Sequence, residues 1–106
     1  MIQEIVSEHW LDEDGNPAGG VSSAVGLTIS WQNGPLGRGE NRRPPNGAFV
    51  ETVTLATIKR LEFYQASKFA CAENAEALVH LNLALHILEN RTKNREARQV
   101  EGTHAL

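Results

Sequence analysis

ACAENAEALVHLNLALHILENRTKNREAR, residues 70–98, decides the fold. Leu78, Leu81, Leu85 and Leu88 recur on one helical stripe, and Ala, Leu, Glu and Arg, all strong helix formers, fill the positions between them. The spacing predicts a long helix over 70–98. Upstream, QASKF at 65–69 breaks the pattern. Before that break Val50, Val53, Thr57, Leu61 and Tyr64 also recur at helical spacing, with Asn46 available as a cap, so a first helix is expected over 48–65. Two helices joined by a short connection form an antiparallel hairpin.

The front of the chain has a different period. Ile5, Val6, His9 and Leu11 alternate with Glu4, Ser7 and Glu8, and DEDGNPAGG at 12–20 is rich in turn formers. In VSSAVGLTISW, 21–31, the residues Val25, Leu27, Ile29 and Trp31 are spaced by two, which predicts one half-buried strand face. Residues 1–36 are therefore β-rich. NGPLGRGENRRPPNG at 33–47 holds four glycines and three prolines and reads as a long surface loop. The class is α+β, a β-rich front followed by a helical hairpin. At 106 residues one domain over 1–106 is expected, ending in the tail 99–106, where Gly102 is a stop signal.

Composition removes several classes of function. No run approaches eighteen apolar residues, so no membrane span is expected. Cys71 is the only cysteine, which excludes an internal disulfide and any multi-thiolate zinc site and suits a reducing compartment. The start, MIQEIVSEHW, lacks the basic region of a secretory signal. A cytoplasmic protein is expected. The net charge of −3 argues against coating nucleic-acid polymers, which takes many unopposed phosphate contacts. The charge is uneven: Glu4, Glu8, Asp12, Glu13 and Asp14 are the only charged residues before Arg38. These acids are expected to face solvent, away from any anion site.

The sharpest chemical feature is the row Arg91, Arg95 and Arg98 at i, i+4 and i+7. Three forked guanidiniums on one helix face match phosphate oxygens. The same row also reads as a solvated cationic helix end with Glu96 and Glu101 as partners. Asn74, in the first turn of the second helix, can read a ribose or base edge or satisfy the backbone locally. It lies about 25 Å from Arg91 along a helix rising 1.5 Å per residue, so one small ligand cannot touch both in one chain. A site using both requires two antiparallel subunits. The leucine stripe with Ala75, Ala77 and Ala84 exceeds one side of the helix, and self-association is the simplest cover.

Arg38, Arg42 and Arg43 ride on the loop, which lacks a P-loop signature and reads either as a plain flexible loop or as a lid over an anion. Trp31, Phe63, Tyr64 and Phe69 can stack on a base or belong to the core. His9, His80, His86 and His104 have no metal-ligand spacing, and no metal or cofactor is assigned. No nucleophile and base pair appears, nor paired carboxylates, so an enzyme is not expected.

ISWQNGPLGRG from Ile29, PNGAFVETV from Pro45, KFACAENAEAL from Lys68 and RTKNREARQVEGTHAL from Arg91 together resemble the phage Thoeris anti-defence protein 1 family. That family shares its helical hairpin with anti-CBASS protein 2. The resemblance implies an N-terminal antiparallel sheet and two helices, assembled as dimers or trimers of dimers. It also implies a sponge that holds cyclic ADP-ribose isomers without cleaving them, with cyclic di- or trinucleotides bound at separate sites in some relatives. The ligand site between protomers would use Asn74, Arg91, Arg95 and Tyr64, with Arg38 or Arg43 as the loop arginine. This sequence departs from the pattern at Gln99, where a glycine is usual.

Overall fold

A computed structural model describes all 106 residues. The chain divides into two compact units, one built from Met1–Phe49 with Val100–Leu106 and the other from Val50–Gln99. The architecture is α+β, with a three-stranded antiparallel sheet followed by two helices.

The first unit contains β1 (Val6–Leu11), β2 (Pro17–Ala24) and β3 (Leu27–Trp31), in the order β1-β2-β3. Two expectations change here. The 21–31 run is two strands, because Val25 and Gly26 form a tight turn in which Gly26 takes φ 77°. Val25 consequently stands out at 83% exposure instead of joining the strand face. Pro17 to Gly20, read as turn formers, open β2. The turn proper is Asp12 to Asn16, where the Asp12 carboxylate accepts the backbone N–H groups of Asp14 and Asn16, both at 2.9 Å.

Leu27, Ile29 and Trp31 do share a face, since they pair across the ladder with Ala24, Ser22 and Gly20. The small residues of β2 let that face close tightly. Trp31 Nε1 donates to Ser22 Oγ at 3.0 Å, and Ser7 and Ser22 share a hydroxyl bond of 2.8 Å. Ser22 is thereby buried with its polar atom satisfied.

The second unit is α1 (Val50–Gln65) and α2 (Ala72–Ala97). Both helices start two residues later than expected, and α2 ends one residue earlier. Asn46 caps nothing: its side chain bridges the backbone N–H and C=O of Asn33, at 2.8 and 2.9 Å. The break expected at 65–69 falls at 66–71, where Gln65, the last residue of α1, bonds both the N–H and the C=O of Cys71. At the opposite end Arg91 of α2 reaches Glu51 of α1, so the helices run antiparallel. The buried centre of the hairpin is Ile58, 3% exposed, which the periodicity did not single out. Val50 and Thr57 face outward, while Val53, Leu61 and Tyr64 are half-buried with the leucine stripe of α2. Phe63 and Phe69 stay at the surface and do not join a core.

The helix stop lies at Gln99, not at Gly102. Gln99 takes φ 61°, and its N–H bonds to Glu96 C=O while that of Arg98 bonds to Asn94 C=O. A left-handed residue just past the last turn is the usual way to satisfy terminal carbonyls, and glycine is the usual residue there.

Candidate functional site

The tail and the front loop, unrelated in the sequence reading, are one structure. Gly37 N–H donates to Gly102 C=O at 2.8 Å, and Gly102 has φ 79°. A Cβ on Gly102 would run into the Gly37 carbonyl, so only glycine permits this approach. Arg38 donates to Glu101 C=O at 2.9 Å, and Arg42 pairs with the Glu101 carboxylate at 2.7 Å. Glu101 is therefore a partner of the loop arginines. Further along, His104 lies 4.0 Å from Asp12. The loop is clasped, with a single turn of 3-10 helix at Gly39–Asn41, which revises its reading as plainly flexible.

Arg38 and Arg42 each engage the tail through a single nitrogen, Nη1. Arg43 instead lines a concavity of about 360 Å³ with Gln32, Asn33, Leu36, Asn41 and Asn46. The amides of Gln32 and Asn46 are bonded to backbone there and hold the loop in shape, which leaves Arg43 as the charged residue of the wall.

In the helical unit the proposed contacts fall at two ends. Tyr64 closes α1 and Asn74 opens α2, so both belong to the connector end. Asn74 is half-buried, and no hydrogen bond within the chain engages its side chain. Tyr64 has a neighbour that the sequence reading missed. The Arg60 guanidinium lies 4.9 Å from the Tyr64 ring centroid and 5.1 Å from that of Phe63, and its Nε donates to the Tyr64 hydroxyl at 3.2 Å. Its signal was the i, i+4 spacing from Arg60 to Tyr64.

Arg91 and Arg95 lie at the far end of α2, on the same helix as Asn74. Arg98 Nε donates to Asn94 at 2.9 Å. Arg91 donates through Nη2 to Glu51 Oε1 at 3.1 Å. Glu51 was also missed, because a partner forty positions away leaves no local trace. One chain thus keeps Asn74 and the arginine row apart, as the 25 Å argument required.

Between those ends α2 leaves an apolar row uncovered. Val79, Leu83 and Ile87, spaced by four, are 65%, 54% and 58% exposed. They stand beside the half-buried leucines, on a face that α1 does not cover.

No protein-family model matches the sequence. Over 77 residues, 73% of its length, the chain is 42% identical to a protein named Thoeris anti-defense 1 from Bacillus phage SBSphiJ7. The chain belongs to the Thoeris anti-defence 1 family. The match covers 51% of that relative, so the chain spans about half the length of the family member it resembles. The α+β order of sheet and helical hairpin is the one that the resemblance to this family implied. No helix is long and apolar enough to cross a membrane.

Proposed function

We propose that the protein is a phage anti-defence sponge, which binds cyclic ADP-ribose-type signalling nucleotides, does not cleave them and withholds them from the Thoeris effector in the host cytoplasm. The observation that carries this reading is the 42% identity to a phage protein named for Thoeris anti-defence. The side chains supply a chemistry to match. Arg91 and Arg95 provide charge-assisted donors for a diphosphate, Tyr64 a face for adenine, and Asn74 an amide for a ribose or base edge. The loop arginine is Arg43, which lines the loop concavity, or Arg38, which meets the tail through one nitrogen and keeps the rest of its fork.

Because Asn74 and the arginine row sit about 25 Å apart on one helix, the pocket is built between two copies, one chain's connector end meeting the other's arginine end. The exposed row Val79, Leu83 and Ile87 supplies the apolar seam for such a pair, as a dimer or a trimer of dimers. Cyclic di- or trinucleotides of CBASS are a second ligand class, held at a site separate from this one. Nanomolar retention corresponds to about −12 kcal/mol, within reach of a buried diphosphate held by preorganised guanidiniums.

Native mass spectrometry of the purified protein with a cyclic ADP-ribose isomer, followed by heating and chromatography, tests this. An oligomer that releases the unchanged nucleotide is the expected result. A protein that holds no nucleotide overturns the reading. The exposed apolar row also favours a second reading, a protein-interaction module, for which a stoichiometric protein partner and a nucleotide-free heat extract are the expected signature.

A further inference from the structure

Arg91, the first of the row, is not presented to a ligand as a bare cation. Glu51 stands against it from the opening turn of α1, with Arg91 62% and Glu51 25% exposed at their side chains. Only one nitrogen and one oxygen take part, at 3.1 Å, so the rest of the guanidinium fork and the second carboxylate oxygen remain open. So exposed a pair contributes little to folding. Its position matters more, since a carboxylate beside Arg91 repels any ligand that is only an anion. A ligand that brings hydroxyl donors next to its phosphates turns the same carboxylate into an acceptor.

We propose that Glu51 is a specificity-determining residue, which accepts a hydrogen bond from a pentose hydroxyl adjoining the phosphates held by Arg91 and so selects ribosyl diphosphates over hydroxyl-free polyphosphates. This rests on the sponge reading and names the part of the ligand read at the Arg91 end. The carboxylate orients the Arg91 fork through one oxygen and reads the sugar with the other. Specificity arises because the hydroxyl-bearing ligand gains a charge-assisted bond, whereas pyrophosphate meets only repulsion.

The test compares wild type, Glu51→Ala and Glu51→Gln, each checked for an unchanged helical signal, with a cyclic ADP-ribose isomer by calorimetry and inorganic pyrophosphate by NMR titration. Glu51→Ala is expected to weaken the nucleotide about tenfold or more, the worth of a hydrogen bond to a charged acceptor. The same variant should bind pyrophosphate as well as wild type or better. Glu51→Gln, which keeps an acceptor oxygen, should recover part of the nucleotide affinity. Both probes moving in the same direction by the same factor would overturn the proposal, because a merely structural pair acts on them alike. Nucleotide affinity that rises in Glu51→Ala would overturn it too. Wild-type protein that retains no cyclic ADP-ribose isomer overturns the sponge reading itself, and this one with it.

Discussion

Gln99 holds a left-handed φ of 61° at the exit of α2. A side chain there costs about 1–2 kcal/mol relative to an ordinary backbone geometry, because Cβ crowds the carbonyl. Gln99→Gly removes that strain and should stabilise the protein by about 1 kcal/mol, read as a higher denaturant midpoint with an unchanged slope. Asp12 is the other residue with a distinct signature. The backbone N–H of Asn16, then that of Asp14 and the Asn16 side chain, hold its carboxyl below the ordinary carboxylate range. A group depressed in the folded state contributes stability above its unfolded pKa of about 3.9 and loses it as pH falls through the folded value. An NMR titration of Asp12 should therefore give a midpoint below 3.9, and Asp12→Asn should flatten the acid limb of unfolding.

At the scale of elements, the helical hairpin hangs on few contacts. Ile58 is its one buried apolar side chain, so Ile58→Ala should cost about 2–4 kcal/mol, measured by chemical denaturation. A loss below 1 kcal/mol would show that α1 and α2 are held by other means. The clasp between the front loop and the tail relies on backbone contact more than on charge. Its ion pairs are exposed enough to be worth at most about 1 kcal/mol, whereas the Gly37 to Gly102 approach tolerates no side chain. This is why GPLGRG and VEGTH, far apart in sequence, have to be read together.

At the scale of the whole molecule, α2 is 26 residues long, about 39 Å, and carries the proposed ligand contacts at both ends. Between them the exposed row Val79, Leu83 and Ile87 calls for cover. On the proposed two-copy pocket, Leu83→Glu should give a monomer by native mass spectrometry with helicity preserved, and should abolish nucleotide retention even though no proposed ligand contact is touched. Unchanged assembly in that variant would place the seam elsewhere. Unchanged retention in a monomer would refute the two-chain pocket.

The helices were legible because their signals are local. Helical period, strong formers and the QASKF break fall within one or two turns of the residues they govern, so α1 and α2 emerge within two residues of their expected bounds. The arginine row was legible for the same reason, and the resemblance of the hairpin motifs carried the family. The sheet was less so. A lone Gly26 inside a run of alternating residues looks like strand until the register with β2 shows that the chain has turned back. The pairing of Glu51 with Arg91, the capture of Glu101 by Arg42 and the fate of Asn46 were not legible at all. Each joins residues thirteen to fifty-nine positions apart, beyond the reach of any local period. Local patterning determines which segments are helix or strand. Which charges meet a partner, and which partner each meets, is decided only when the folded backbone brings distant side chains within hydrogen-bond reach.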